Sequence, residues 1–404
     1  MENREKSRSG LYWLFIALVV AFACLAGSYA QFQLPPLQDQ VQENAGLTPS
    51  QYAQVFSAPM LPGLCLSLVA GVLIDRFGYR KMIALALIVS TLAAAGRTFC
   101  GNYFPFWIAM ALTGVAPTFI QANNAKIMSN YVPNEKLSLS LGVVMMGGAM
   151  ASFIGSATTH LFPSTTAAYV FSGLLGLVAT ALWIICIRKK SPDSAAQPQA
   201  DGVSVLSALK TVIRSKNVWR IGLCMFFVES FYMSVASTAP SALKSLGYDP
   251  ATAGLLTSVL SIGSPMGNLI GGPLAIRSGK PKLVLMIVAG ITAICFPLLW
   301  ASESIVLCAL AFFLSGFCFG TGMISIASMP ILAPEIGQRY AGTAGGLINT
   351  MEMAGGFAVS SYVIAPLANG DFHLQFLLAT GALALGFLAM FLIPKLNFPA
   401  RKKQ

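Results

Sequence analysis

The sequence predicts an all-α membrane protein, with twelve transmembrane helices in two pseudo-symmetric six-helix bundles. Three observations predict it. The first is solvent preference: of 404 residues, 56% are hydrophobic and only 10% charged. The mean hydropathy of +0.72 fits a chain dissolved in lipid rather than water. The second is run length, since apolar stretches of the about 20 residues that cross hydrocarbon as helix recur along the whole chain. The third is internal repetition. Gly71, Leu73, Arg76, Gly78 and Lys81 return 201 residues later as Gly272, Leu274, Arg277, Gly279 and Lys282. The same offset relates Pro49 to Pro250 and Pro133 to Pro334, which points to a duplicated half. Ile276 replaces Asp75 in the second copy, and Pro281 replaces Arg80.

Taken in order, the expected spans of the first half are 11–32, 51–73, 81–98, 104–128, 137–160 and 167–188. Those of the second are 218–243, 251–275, 282–299, 303–329, 340–366 and 374–394. The domains are therefore an N-terminal bundle, 1–188, a linker, 189–217, and a C-terminal bundle, 218–404. Ser191-Pro192-Asp193-Ser194 and the residues after them make the linker flexible in its middle, with a short surface helix expected over 203–214. The largest loop on the other side, 33–50, contains Pro35-Pro36, Asp39 and Glu43 but no Lys or Arg. Thr48-Pro49-Ser50 reads as the start of the second helix, with Thr48 or Ser50 as its cap. Residues 1–30 have the outline of a cleavable leader, but the apolar run is too long and the duplication requires it as a span.

Charge supplies the topology. The net charge of +11 would suit a nucleic-acid binder, yet about 23 of the 25 Lys and Arg fall on one side of the assigned loops. Arg97 and Lys244 are the exceptions. This distribution is a membrane-orientation signal that places both termini in the cytoplasm of a plasma (bacterial inner) membrane, and nucleic acid is not an expected partner. The eight cysteines are scattered singly through apolar runs and read as small core residues. No metal or cofactor is expected. Gly279-Lys280 lacks the earlier glycine and following hydroxyl of a phosphate loop. His160 and His373 have no catalytic partners in view, so an enzyme is not expected either.

The run Gly71-Val-Leu-Ile-Asp75-Arg76-Phe-Gly78-Tyr-Arg80-Lys81 resembles the loop between the second and third helices of the major facilitator superfamily. It matches at every fixed position except Tyr79. Asp75-Arg76-Phe77-Gly78 and Tyr131-Val-Pro-Asn-Glu-Lys136 are also similar to members that carry cyanate, nitrate or organic anions. The resemblance implies alternating access by two rocking halves. It further implies a conformational latch made of Gly71, Asp75, Arg76, Gly78, Arg80 and Lys81, in which Asp75 faces the positive start of the eleventh helix. Two places depart from the family: Ala111-Leu112-Thr113-Gly114 has alanine where many members have arginine. Val143–Gly148 lacks the Gly-Pro pair of drug:proton antiporters.

Small residues at helical spacing mark close helix contacts. They are Gly263, Gly267 and Gly271 in span eight, Gly63, Ser67 and Gly71 in span two, and Gly148, Ser152 and Ser156 in span five. Span eleven adds Gly342, Gly346, Gly355 and Gly356. In the resembled family these four spans meet across the halves.

Ionisable groups at mid-membrane are costly and face a cavity or a partner. Glu229 and Glu352 are placed there, about 16–18 Å from the cytoplasmic face at 1.5 Å per residue, and are expected to couple transport to protons. Arg97 is expected to snorkel outward. Lys126, below Gln121, Asn123 and Asn124, gives span four a polar stretch. The resemblance places spans one, four, seven and ten around the cavity, which nominates Tyr29, Gln33, Gln121, Asn124, Lys126 and Tyr232 as substrate-binding residues. Thr321 and Ser325 are lesser candidates, because such hydroxyls usually bond their own backbone. Asn349 joins the set beside Glu352.

The functional expectation is a secondary active transporter, a symporter, that moves a small polar organic solute, organic anions included, with protons. It is expected to act as a monomer in the lipid bilayer. A drug or metabolite efflux antiporter, a lipid-headgroup flippase and a non-transporting membrane sensor are the alternatives.

Overall fold

The computed structural model describes residues 2–132, 134–187, 205–271, 274, 278, 280–332 and 336–393. In lipid a chain must satisfy its backbone hydrogen bonds internally, so apolar runs become helices. The first bundle contains α1 (Glu2–Phe32), α2 (49–77), α3 (Tyr79–Gly96), α4 (Tyr103–Ser129), α5 (Asn134–Thr158) and α6 (Thr165–Cys186). The second contains α7 (Lys216–Ser245), α8 (Pro250–Gly271), α9 (Pro281–Leu299), α10 (Ile305–Leu332), α11 (337–368) and α12 (Phe372–Leu392). Among the described residues eleven helices are long and apolar enough to cross a membrane. The interrupted α2 completes the twelve.

Local sequence sets the helix ends. Thr48 caps α2 through a reciprocal box: its Oγ1 accepts from the Gln51 N–H at 3.2 Å, and Gln51 Oε1 accepts from the Thr48 N–H at 3.0 Å. A 3-10 turn, Ala58–Met60, interrupts α2. Gly78 then ends it at φ 84°, a conformation that side chains disfavour. Ser164, Ser215, Asp249 and Asp371 cap α6, α7, α8 and α12. The linker yields one helix, Val205–Arg214; residues 188–204 lie outside the described set. The first loop is more ordered than its prolines suggest, with a 3-10 turn Pro35–Leu37 and a helix Gln38–Ala45 that buries Val41.

The duplication is visible in packing. In the first bundle α1 packs on α5 and α6, α2 on α4, and α3 on α4 and α6. The second repeats this as α7 on α11 and α12, α8 on α10, and α9 on α10 and α12. Gly114 of α4 meets the Pro59 carbonyl of α2, and Gly316 of α10 meets the Leu260 carbonyl of α8; Pro59 and Leu260 stand at the same 201-residue offset. In α7, 83% of the apolar window is buried, against 22% in α9, so α7 is central and α9 peripheral.

The small-residue stripes divide differently from expectation. Gly263, Gly267 and Gly271 face α10 of their own bundle, against Phe313, Phe317 and Thr321. They do not meet the other half. Cross-half contacts use other members: Gly63 lies beside Met353, and Ser152 bonds Ser261 at 2.5 Å. Nothing lies within 4 Å of a Cβ built at Gly71, Gly148 or Gly346. A stripe of glycine signals close approach without naming the partner.

One face, here the basic face, carries the Gly78 turn with Arg76, Arg80 and Lys81. At the opposite face the halves are tied by Tyr52 Oη donating to the Ser237 carbonyl at 3.3 Å and by the Lys244–Asp39 ion pair. The first-loop segments pack there on α7 and α8.

Candidate functional site

The central arrangement is built from α7 and α11. Glu229 is 1% exposed and Glu352 is 4% exposed, so neither points at lipid. They stand on helices that pack against each other, where charge on one would oppose charge on the other. Among the described residues Glu229 Oε2 is buried without a hydrogen-bond partner. The only buried basic side chain among those residues, Arg97, belongs to the other half. An unpaired buried carboxylate is costly, so this pair is suited to holding a proton or a cationic group.

Glycine allows this approach. Gly355 and Gly356 open a π-helical stretch, Gly355–Ile364, immediately after Glu352, a distortion frequent at functional sites. Gly355 lies on the Phe226 carbonyl of α7, and Gly356 lies on Glu229 itself. From the other half, Met60 of α2 reaches the same spot. Tyr232, one turn beyond Glu229, stacks on Phe319 of α10 with ring centroids 4.3 Å apart, beside Ser152 of α5. Asn349 is half-buried one turn before Glu352.

The α4 candidates lie apart from this centre. Gln121 and Lys126 are exposed, while Asn124 is half-buried with its Oδ1 lacking a partner. Asn123 bonds back to the Phe119 carbonyl at 3.1 Å and is committed to its own helix. A polar, exposed face on a spanning helix is stable where it meets water rather than lipid.

Arg97 corrects the sequence reading. It does not snorkel; it is 1% exposed. Nε donates to the Ala94 carbonyl at 3.0 Å, Nη1 to the Ala30 carbonyl at 2.9 Å, and Nη2 to Gln33 Oε1 at 3.1 Å and Ser172 Oγ at 2.6 Å. The guanidinium sits 4.4 Å from the Tyr169 ring centroid. Gln33 is bound at both ends, since its Nε2 donates to the Ala168 carbonyl at 2.7 Å. It braces Arg97 instead of facing a solute. Tyr29 is buried edge-on to Phe171, and among the described residues its hydroxyl has no partner. Thr321 Oγ1 donates to the Gly267 carbonyl at 3.5 Å, a contact between helices, and Ser325 is buried.

Of the latch residues, Arg80 Nη2 donates to the Ile184 carbonyl of α6 at 3.0 Å, a cation at a helix C-terminus. Arg76 lies over Phe77, and Lys81 is exposed. The side chain of Asp75 falls outside the described residues, as do those at the start of α11. Sequence reasoning missed Met60 and the Asp39–Lys244 pair. Only the last left a trace, Lys244 being a cation on the wrong side.

This architecture has known counterparts. The solved bacterial homologue of the human lysosomal transporter Spinster, in an inward-facing and occupied conformation, superimposes with a TM-score of 0.80 at 10% identity, covering 96% of this chain and 99% of that one. A nucleoside transporter NupG mutant does so at 0.78 and 13% identity, covering 94% and 100%. By sequence the chain is 22% identical to the probable sulfoacetate transporter SauU of Cupriavidus necator, over 88% of both chains. It is 24% identical to the probable nitrate/nitrite antiporter NarK1 of Thermus thermophilus, over 97% of this chain and 93% of that one. The family model of the Major Facilitator Superfamily matches residues 14–360. With the repeated six-helix packing, that match fixes the assignment: the chain is a secondary transporter belonging to the Major Facilitator Superfamily.

Proposed function

We propose that this transporter carries a small polar organic solute, with organic anions the first class to test, and that its transport is coupled to protons through Glu229 and Glu352. One observation supports the reading: two carboxyls are buried on α7 and α11, helices that pack against each other beside the contact between the halves, and among the described residues one Glu229 oxygen has no hydrogen-bond partner. Ionised together they repel and resist burial. A proton removes that opposition, so protonation favours the closed seam over them and release favours its opening.

The exposed Gln121 and Lys126 of α4, with Asn124, would attract a solute to the vestibule, and Tyr29, Tyr232 and Asn349 would contact it deeper. Basic residues on the Gly78 face support a cytoplasmic position for both termini. Asp75, with its basic neighbours, would hold that face closed in the other conformation. The relatives described as sulfoacetate and nitrate/nitrite transporters support small anions as candidates.

The test is uptake into proteoliposomes under an imposed pH gradient, with a panel that includes sulfoacetate, nitrate and small organic acids. Glu229→Gln and Glu352→Gln should abolish gradient-driven accumulation while solute exchange continues. Wild-type pH dependence in both variants would remove the pair from coupling.

A further inference from the structure

The acid pair lies behind a seam between the halves. Along it α2 and α11 run antiparallel, and their contacts step in order: Gly63 beside Met353, then Met60 beside Gly356, then Ser57 and Ala53 beside Ser361. At the last step Ser361 Oγ lies 2.7 Å from Ser57 Oγ and donates to the Ala53 carbonyl at 2.8 Å. At the middle step a Cβ on Gly356 would come within 2.6 Å of Met60 Cε and 2.9 Å of Glu229 Cγ. The thioether and the glutamate side chain therefore converge on one glycine, and a larger residue would hold them apart. Met60 is 5% exposed and stands on the 3-10 turn of α2.

We propose that Met60 is the proton seal of this transporter. It is a positioning residue of the first half that covers the acid pair of the second half, and it leaves when the halves part toward the opposite face. This rests on the coupling role given above to Glu229 and Glu352. Glu229 needs water to exchange its proton, and a flexible, unbranched thioether fills the irregular gap where that water would stand. The seal is tied to conformation because its two sides travel with different bundles. Rocking that breaks the Ser57–Ser361 step must also lift Met60 from Gly356. Among the described residues the titratable groups near Glu229 are Glu352 from α11 and Tyr232 on α7, with Tyr52 of α2 further along the seam. The other α2 residues at the seam, Ala53, Ser57, Met60 and Gly63, carry no charge.

The experiment records internal pH in proteoliposomes without solute, under a pH gradient, for wild type, Met60→Ala, Met60→Gln and Met60→Leu. Alanine and glutamine should raise solute-independent proton flux several-fold and lower the accumulation ratio. Leucine, apolar and of similar volume, should stay tight. Adding Glu229→Gln to Met60→Ala should return the leak to background. Tight coupling in both Met60→Ala and Met60→Gln would overturn the seal, whereas a leak that ignores Glu229→Gln would overturn its link to the acid pair. If Glu229→Gln alone leaves pH-driven uptake intact, the coupling reading itself fails, separately from either result.

Discussion

Replacing Arg97 with alanine should destabilise the protein without specifically weakening solute binding. The guanidinium ties α3 to α1 through Ala30 and Gln33 and to α6 through Ser172. A hydrogen bond to a charged group nets about 1.5–3 kcal/mol, and the three acceptors sit in buried surroundings. Their energies overlap, so the loss is better taken from the neutral buried acceptors left without a donor, about 1–3 kcal/mol each at most. Arg97→Lys should recover only part, because an ammonium cannot present the same fork or stack on Tyr169. Thermal unfolding in detergent, with and without the solute that uptake screening identifies, separates the possibilities. The expected result is a markedly lower Tm for alanine, an intermediate Tm for lysine, and an unchanged shift on adding solute. An Arg97→Ala variant that melts like wild type but no longer responds to solute would refute this reasoning and make Arg97 a binding residue.

Three further outcomes follow from the geometry. Gly355→Ala would drive a methyl into the Phe226 backbone and should cost roughly 1–3 kcal/mol of stability, whereas Gly71→Ala, with open space beside it, should melt as wild type does. The Asp39–Lys244 pair is partly exposed and worth at most about 1 kcal/mol. Asp39→Asn should therefore leave Tm nearly unchanged while increasing cysteine-labelling access at the opposite face. The Asp249 carboxyl is held below the usual carboxylate range by its hydrogen bonds from Thr252, side chain first and then backbone. Its contribution is complete above the unfolded value of about pH 4. It is lost as pH falls through the lower folded value, a dependence that Asp249→Asn should remove from acid-unfolding curves.

Much of the fold was legible because bilayer thickness fixes helix length and duplication leaves a constant offset. The two glutamates were legible for a related reason: an acid at that depth has few uses. Other features were not. Met60 in an apolar run looks like any core methionine, and only tertiary packing brings it to Gly356 across the halves. The glycines of α8 announced a close neighbour, but not that it was α10. Arg97 looked like a side chain near water because sequence position gives depth, while Gln33, Ser172 and Ala30 come from distant parts of the chain. Gln33 is polar on a span expected to line the cavity, yet tertiary packing commits both ends of its amide.

On the proposed coupling, protons move with solute by way of Glu229, behind the seam between the bundles. Its most direct test records solute uptake and internal pH together in the same proteoliposomes, for wild type and Glu229→Gln. Every increment of wild-type uptake should carry a proportional pH change, and the variant should exchange solute with no pH change. Proton movement that persists undiminished in Glu229→Gln would contradict it.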